Sequence, residues 1–388
     1  MPEVPVTPLS DDELAAWLHL LHSQGVGRDT ARRLLSHFGS PQAAVAAGPA
    51  DLAGLVSAKI ALALAHPPAG HAQRQANTLA WRNAAPARRV MVLGDADYPP
   101  LLLHSADPPL LLYLQGRAAL LNARSVAIVG SRQASAQGLD NARAFARTLA
   151  RNGWAIVSGL AAGIDAAAHQ GALDADAEGG AGTLAVVGTG VDRIYPRSHR
   201  ALTQRIAEHG LLVSELALGT PPLAPNFPQR NRLIAGLSRG TLVVEAALRS
   251  GSLITARLAA EAGREVMALP GSLLAPQSHG CHALIRQGAA LVMSAEQVLD
   301  ELDGLPALSL LDALAYPSAP PASTRASAEA SEDDAVLRAL GHDPLSLDAL
   351  INRCGWPAPA LSAHLLTLEL DGRVARLAGG LYQRRQAA

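Results

Sequence analysis

The chain has 388 residues, of which 49% are apolar, 17% charged and only 3% aromatic, with a formal net charge of −1. That length predicts two or three domains, the composition argues against wholesale disorder, and the total charge advertises no nucleic-acid partner. Cys281 and Cys354 lie far apart and form no CxxC pair, which argues against a disulfide framework or a zinc ribbon.

The charge is unevenly spread. Between Arg193 and Arg257 nine arginines stand against Glu208, Glu215 and Glu245, whereas between Ala290 and Ala335 nine acids stand against Arg325 alone. Lys59 is the only lysine and follows Ala58, so the Gly-Lys-Ser/Thr of a phosphate-binding P-loop is missing. Met1 to Pro8 has no basic or apolar leader character, and no apolar run is long enough to span a bilayer. The expectation is a cytoplasmic, reduced protein with no membrane contact.

In chain order, residues 11–66 read as short helices. Leu14, Leu18 and Leu21 share one face, and Ala31, Leu34, Leu35 and Phe38 continue after a turn. That turn, Gly25-Val26-Gly27, is followed by Arg28, Arg32 and Arg33. It resembles a helix-hairpin-helix whose glycine amides could face a phosphate, and it fits equally a plain helical hairpin with a solvated basic face. The domain is set at residues 1–75, and residues 67–89 carry few order signals.

A long alternation follows. Strands are expected over Val90–Leu93, Ser125–Val129, Ala155–Val157, Thr183–Val187, Leu211–Val213, Thr241–Val244, Glu265–Leu269 and Ala290–Met293. Between most of them lie helical stretches, including Asp140–Arg151, Ser198–Glu208, Arg230–Leu237, Ser252–Ala262 and Ala283–Gln287. The pattern predicts an α/β domain over 90–303 with a doubly wound, mostly parallel sheet of the extended Rossmann type. Right-handed crossovers gather the strand C-terminal loops on one edge, where ligands bind.

Residues 304–334, rich in Pro, Ala, Ser and acids, read as a flexible linker. Three short helices and a hairpin around Gly379-Gly380 then predict a winged helix over 335–388. Its third helix has almost no positive charge, which speaks against DNA reading there and leaves a protein-docking role.

Four small-residue corners carry the chemistry. Val129-Gly130-Ser131-Arg132 follows an apolar strand and offers backbone amides, a hydroxyl and a guanidinium fork to an anion. It lacks the three glycines and downstream acid of a dinucleotide fingerprint, so NAD is disfavoured. Ser158-Gly159 through Gly163-Ile164-Asp165 is a second strand-to-helix corner; Asp165 is expected to cap its helix and His169 to satisfy a local hydrogen bond. In Asn226-Phe227-Pro228-Gln229-Arg230-Asn231-Arg232, two arginines open a helix against its dipole, which suggests phosphate binding, with Phe227 stacking a base or pinning the loop. Arg249-Ser250-Gly251-Ser252 through Thr255 is the fourth corner. Four corners on one edge suit a chain of nucleotides better than one mononucleotide.

Two leads are set aside. Gly236-Leu237-Ser238-Arg239-Gly240 matches a hydrolase elbow, but a helix precedes it and a strand follows, the reverse of what the elbow needs. His279, Cys281 and His282 lack a carboxylate or fourth ligand, so no metal is assigned.

Taken together and in order, these corners resemble the DNA-processing protein A (DprA/Smf) family. The resemblance runs from Tyr98-Pro99-Pro100-Leu101 through Pro108-Pro109-Leu110 to Gly288-Ala289, about half the chain, and includes Ala168-His169, Tyr195-Pro196, Glu245 and Pro270-Gly271. It implies a homodimeric mediator that binds single-stranded DNA in natural transformation and loads the strand-exchange recombinase, with a flanking helical (SAM-like or helix-hairpin-helix) domain and a winged helix. Ala162 stands where many members carry a basic or bulky residue, and the insertion Asp176–Gly182 lengthens one connection.

The expected phosphate-gripping set is Gly130, Ser131, Arg132, Ser158, Gly159, Gly163, Arg197, Phe227, Arg230, Asn231, Arg232, Ser250, Gly251, Ser252 and Thr255, with no catalytic residue, cofactor or metal. The alternative is a nucleotide phosphoribohydrolase on a similar fold. Such enzymes carry a Pro-Gly-Gly-x-Gly-Thr-x-x-Glu loop; here Gly240-Thr241 lacks the preceding Pro-Gly-Gly, and Glu245 comes one residue late.

Overall fold

Ser125–Val129 is buried along its whole length, as a strand covered on both faces must be. In the computed structural model, which describes residues 9–303, 335–340 and 344–385, it is β3, an interior strand of a nine-stranded sheet. Val126 and Ile128 pack into one layer with Ala142, Ala146 and Ile164; Ala127 and Val129 pack into the other with Leu233, Ile234 and Ala256. The period-2 alternation of a strand thus feeds two cores.

Six helices come first: α1 (Asp11–His22), α2 (Arg28–Phe38), α3 (Pro41–Ala46), α4 (Pro49–Leu52), α5 (Ala58–Leu64) and α6 (His71–Asn83). The hydroxyl of Ser10 accepts from the Glu13 amide at 3.1 Å and starts α1, and Gly39, in the left-handed conformation, ends α2. Helix α6 occupies a stretch with few order signals because its core-facing side is narrow: only Thr78 and Trp81 are buried.

The central domain continues with β1 (Arg88–Val92), α7 (Pro100–Leu103), β2 (Leu111–Gly116), β3, α8 (Ala136–Arg151), β4 (Ala155–Ser158), α9 (Ile164–Asp176), β5 (Thr183–Val186), α10 (Arg200–His209) and β6 (Leu211–Ser214). After these come α11 (Asn226–Gly236), β7 (Gly240–Val243), α12 (Ser252–Glu261), β8 (Glu265–Ala268), α13 (His279–Arg286), β9 (Ala290–Leu291) and α14 (Ala295–Asp303). The strand order is β1-β2-β6-β5-β4-β3-β7-β8-β9. Strands β3 to β9 are mutually parallel; β2 runs antiparallel to both β1 and β6. The expected Rossmann-type sheet is therefore present and is extended by an antiparallel pair, whose β2 the sequence pattern missed. Val90, Leu111 and Tyr113 of that pair join the core of the N-terminal helices, with Leu18, Leu34 and Trp81.

The C-terminal unit comprises α15 (Ala335–Leu340), β10 (Leu345–Ser346), α16 (Leu347–Cys354), α17 (Ala358–Leu370), β11 (Val374–Leu377) and β12 (Leu381–Arg384), with sheet order β10-β12-β11. Leu337, Leu350, Leu361, Leu365 and Tyr382 form its core, as a winged helix requires. The linker expected over 304–334 lies outside the described residues. Among the described residues no helix is long and apolar enough to cross a membrane.

Candidate nucleic-acid interface

The sheet order reverses at β3: the chain moves outward through β4, β5 and β6 on one side and through β7, β8 and β9 on the other. The loops leaving β3 and β7 therefore diverge and leave a crevice at the strand C-terminal ends. It is a cleft of about 830 Å³. The loop after β3 contributes Gly130, Ser131 and Arg132; the start of α11 contributes Phe227, Arg230 and Asn231; the corner before α12 contributes Ser250, Gly251, Ser252 and Thr255. Ten of the expected residues thus line one cavity.

The backbone amides at two of these corners are already satisfied. The Ser131 amide donates to the Glu245 carbonyl at 2.7 Å and the Ser135 amide to the Glu245 carboxylate at 2.9 Å. The Gly159 and Ala161 amides donate to Asp165 Oδ2 at 3.1 and 3.3 Å. Asp165 does not simply cap its own helix; it reaches back and fills the β4 corner. The amides of Ser131, Ser135, Gly159 and Ala161 are thus taken by acceptors of the protein itself, and the expectation that they grip phosphates is revised.

Arg230 forms the floor. It is buried, and its Nη1 donates to the carbonyls of Gly159 and Val186, each at 2.5 Å. Gly159 is required for this approach, because a Cβ there would collide with the guanidinium. Burial pushes Arg230 down to about 10, against the attraction of Asp165, and burial pushes the facing Asp165 carboxyl up.

The rim is exposed and cationic. The Arg132 guanidinium lies 5.6 Å from the centroid of the Phe227 ring, and Phe227 stands 5.6 Å from the ring of Tyr195, itself 44% exposed. Exposed Arg249 closes the opposite wall, where the Ser250 and Ser252 hydroxyls lie 2.7 Å apart and Asn231 Nδ2 donates to the Gly251 carbonyl at 3.3 Å. Tyr195, Asp165 and Arg249 line the cleft beyond the expected set. Tyr195 and Arg249 were visible in the sequence only as members of longer motifs, and nothing in a linear pattern singles them out.

Five expected residues lie elsewhere. Gly159 lines a separate cavity of about 90 Å³ beside the cleft, whose wall also includes the exposed Ala162. Ser158 is fully buried and donates to the Ile128 carbonyl at 2.6 Å. Gly163, the residue before α9, sits against the Ser131 carbonyl, which accepts from the Ile164 amide at 3.2 Å. Arg197 is exposed in the turn before α10 and does not line the cleft. Arg232 points the other way: it pairs with Glu215, and its Nε lies 3.3 Å from Asp107, which also holds Arg28 and Arg32 of α2 at 2.7 Å. Its charge at the start of α11 is explained by carboxylates, not by phosphate.

His169 is fully buried, with Nδ1 2.8 Å from Thr183 Oγ1, the local hydrogen bond expected of it. Ser238, also fully buried, donates to the Ile234 carbonyl at 2.9 Å and does not line the cleft. His279, Cys281 and His282 each meet a backbone carbonyl, those of Leu273, Val243 and Gly271.

The family model for DNA recombination-mediator protein A matches residues 89–303, the whole domain that builds this cleft. The chain belongs to the DprA family. The DprA-like N-terminal HHH domain matches residues 11–66 and the DprA winged helix domain residues 318–380. Protein Smf of Escherichia coli is 44% identical over 75% of this chain and 76% of its own length, and Protein Smf of Synechocystis is 35% identical over 97% and 100%. The X-ray structure of DprA from Streptococcus pneumoniae superposes with a TM-score of 0.64 at 35% identity, covering 76% of this chain and 99% of that one.

Proposed function

We propose that this DprA-family chain binds single-stranded DNA in the β3/β7 cleft and serves as a recombination mediator, not as an enzyme. The observation that carries the reading is the rim: an exposed guanidinium, Arg132, against Phe227, with Tyr195 beside it. A cation for the backbone next to a π-face for an unstacked base is the combination that favours single strands and tolerates any sequence. A duplex keeps its bases stacked inside and offers the aromatic pair nothing. The names carried by the family and by its relatives support work on DNA, and the family resemblance supports loading of a strand-exchange recombinase, a homodimeric state and a cytoplasmic setting.

The phosphoribohydrolase alternative needs a carboxylate free to meet a ribose. Glu245, the one candidate at that loop, has its carboxylate bonded to both the amide and the hydroxyl of Ser135. That speaks against catalysis by it.

The test is a gel shift of single-stranded against duplex oligonucleotides, repeated across salt. If roughly four phosphates are neutralised, log affinity falls with log salt at a slope of about −0.7 × 4, on the order of 50-fold for a fourfold rise in salt. A slope near −0.7 with tight AMP binding and release of free adenine would overturn the reading in favour of the hydrolase.

A further inference from the structure

We propose that Glu245 is a positioning residue that fixes the distance between the two walls of the cleft, and with it the spacing at which successive phosphates are held; the proposal rests on the single-strand reading above. Glu245 follows β7, four residues ahead of Arg249 and the Ser250–Ser252 corner. Its carboxylate crosses to the other wall. There Oε2 accepts from the Ser135 amide at 2.9 Å and Oε1 accepts from the Ser135 hydroxyl. Ser135 precedes α8, and its hydroxyl in turn accepts from the Gly138 amide at 3.0 Å. A Cβ at Gly138 would occupy the position of the carboxylate, so the helix is shaped to admit this side chain. The main chain of the same residue makes the second tie, accepting from the Ser131 amide at 2.7 Å.

One residue therefore joins the β7 loop to both ends of the Ser131–Ser135 segment that carries Arg132. Glu245 is absent from the cleft lining. Arg132 and Arg249 themselves extend from opposite walls without an ion pair among the described residues to fix them. The register between them depends on the loops beneath, and a site on loops is only as well spaced as its supporting bonds.

The full chain tests this, using a thymidine oligonucleotide of about 16 nucleotides and thymidine monophosphate as probes. Glu245→Ala should weaken oligonucleotide binding about tenfold and flatten the salt slope by about 0.7, one phosphate fewer held at once, while monophosphate affinity stays within about twofold. Ser135→Ala should reproduce the direction with a smaller loss, and Glu245→Gln, which keeps one acceptor oxygen, should fall between wild type and Glu245→Ala. If Glu245→Ala does not fold, these two variants decide the matter. Equal losses for both probes with an unchanged slope would reduce Glu245 to a general stabiliser and overturn the proposal, as would unchanged binding of both. Failure of the wild type to bind the oligonucleotide would sink the single-strand reading itself, a result separable from either.

Discussion

The guanidinium of Arg132 and the ring of Phe227 stand 5.6 Å apart across the mouth of the cleft, one on the β3 loop and one on α11. On the proposed reading the pair offers a cation to a phosphate and a ring to a base of the same nucleotide. Arg132→Ala should weaken single-strand binding by about 10- to 150-fold, the equivalent of roughly 1.5–3 kcal/mol for a charge-assisted bond. The melting temperature should not move, because Arg132 is exposed and supports no core. Fluorescence anisotropy with a labelled oligonucleotide and a thermal melt check both halves; unchanged affinity would remove Arg132 from the site.

Arg232 gives the opposite pattern. Its side chain is 14% exposed and holds Glu215, 16% exposed, beside Asp107. Arg232→Ala leaves these carboxylates short of a partner and should cost about 2–3 kcal/mol of stability. Urea unfolding reads this, and DNA affinity under native conditions should change less than about threefold, since a missing phosphate partner would cost about tenfold or more. A large affinity loss with normal stability would return Arg232 to the binding set.

Acid should destabilise the protein through His169. Burial pushes its imidazole from an ordinary 6.5 down to about 3, so the folded state keeps it neutral while the unfolded chain takes up a proton. Protons then favour unfolding between those values, and stability falls as pH drops below about 6.5. By pH 5 the loss from this residue is about 2 kcal/mol. Burial shifts His19, His22 and His71 the same way, so the test is a difference: His169→Gln should flatten the stability profile between pH 7 and 5 by about that amount. Parallel profiles would show that His169 titrates normally.

A chain ending at Asp303 should fold and bind single strands like the full protein. The cleft is built before that point. Truncation there deprives the central domain of the ion pair between Arg385 and Asp140 at 2.7 Å, whose side chains are 41% and 35% exposed. Such a pair contributes about 0–1 kcal/mol. Failure of a soluble truncation to bind would place required DNA-binding groups after Asp303.

The strands β3 to β9 were legible because each is a short apolar run set off by helical spacing, and the corners were legible because small residues cluster where strand meets helix. Strand β2 was not. Leu111–Gly116 begins one residue after Pro108-Pro109, so its apolar run reads as the tail of a proline-bounded loop. Arg230 and Arg232 stand two residues apart in one cationic motif, yet one lines the cleft floor and the other meets Asp107, 125 residues earlier. Charge at a helix start says that a partner exists; only the fold says whether that partner is phosphate or carboxylate. The same gap hid the roles of Asp165 and Glu245, acids that occupy amide corners the sequence offers to a ligand.

The floor of the cleft has a consequence for the entropy of binding. Arg230 is held by two carbonyls and faces a buried carboxylate, so its rotamer is fixed before any strand arrives. A side chain already ordered gives up no freedom on association, whereas each free arginine gives up about 0.5–1.5 kcal/mol. That cost falls on Arg132 and Arg249 at the rim, which are exposed and able to follow a backbone of variable path. A stiff base under adaptable edges suits a ligand whose successive units present the same charge in different conformations.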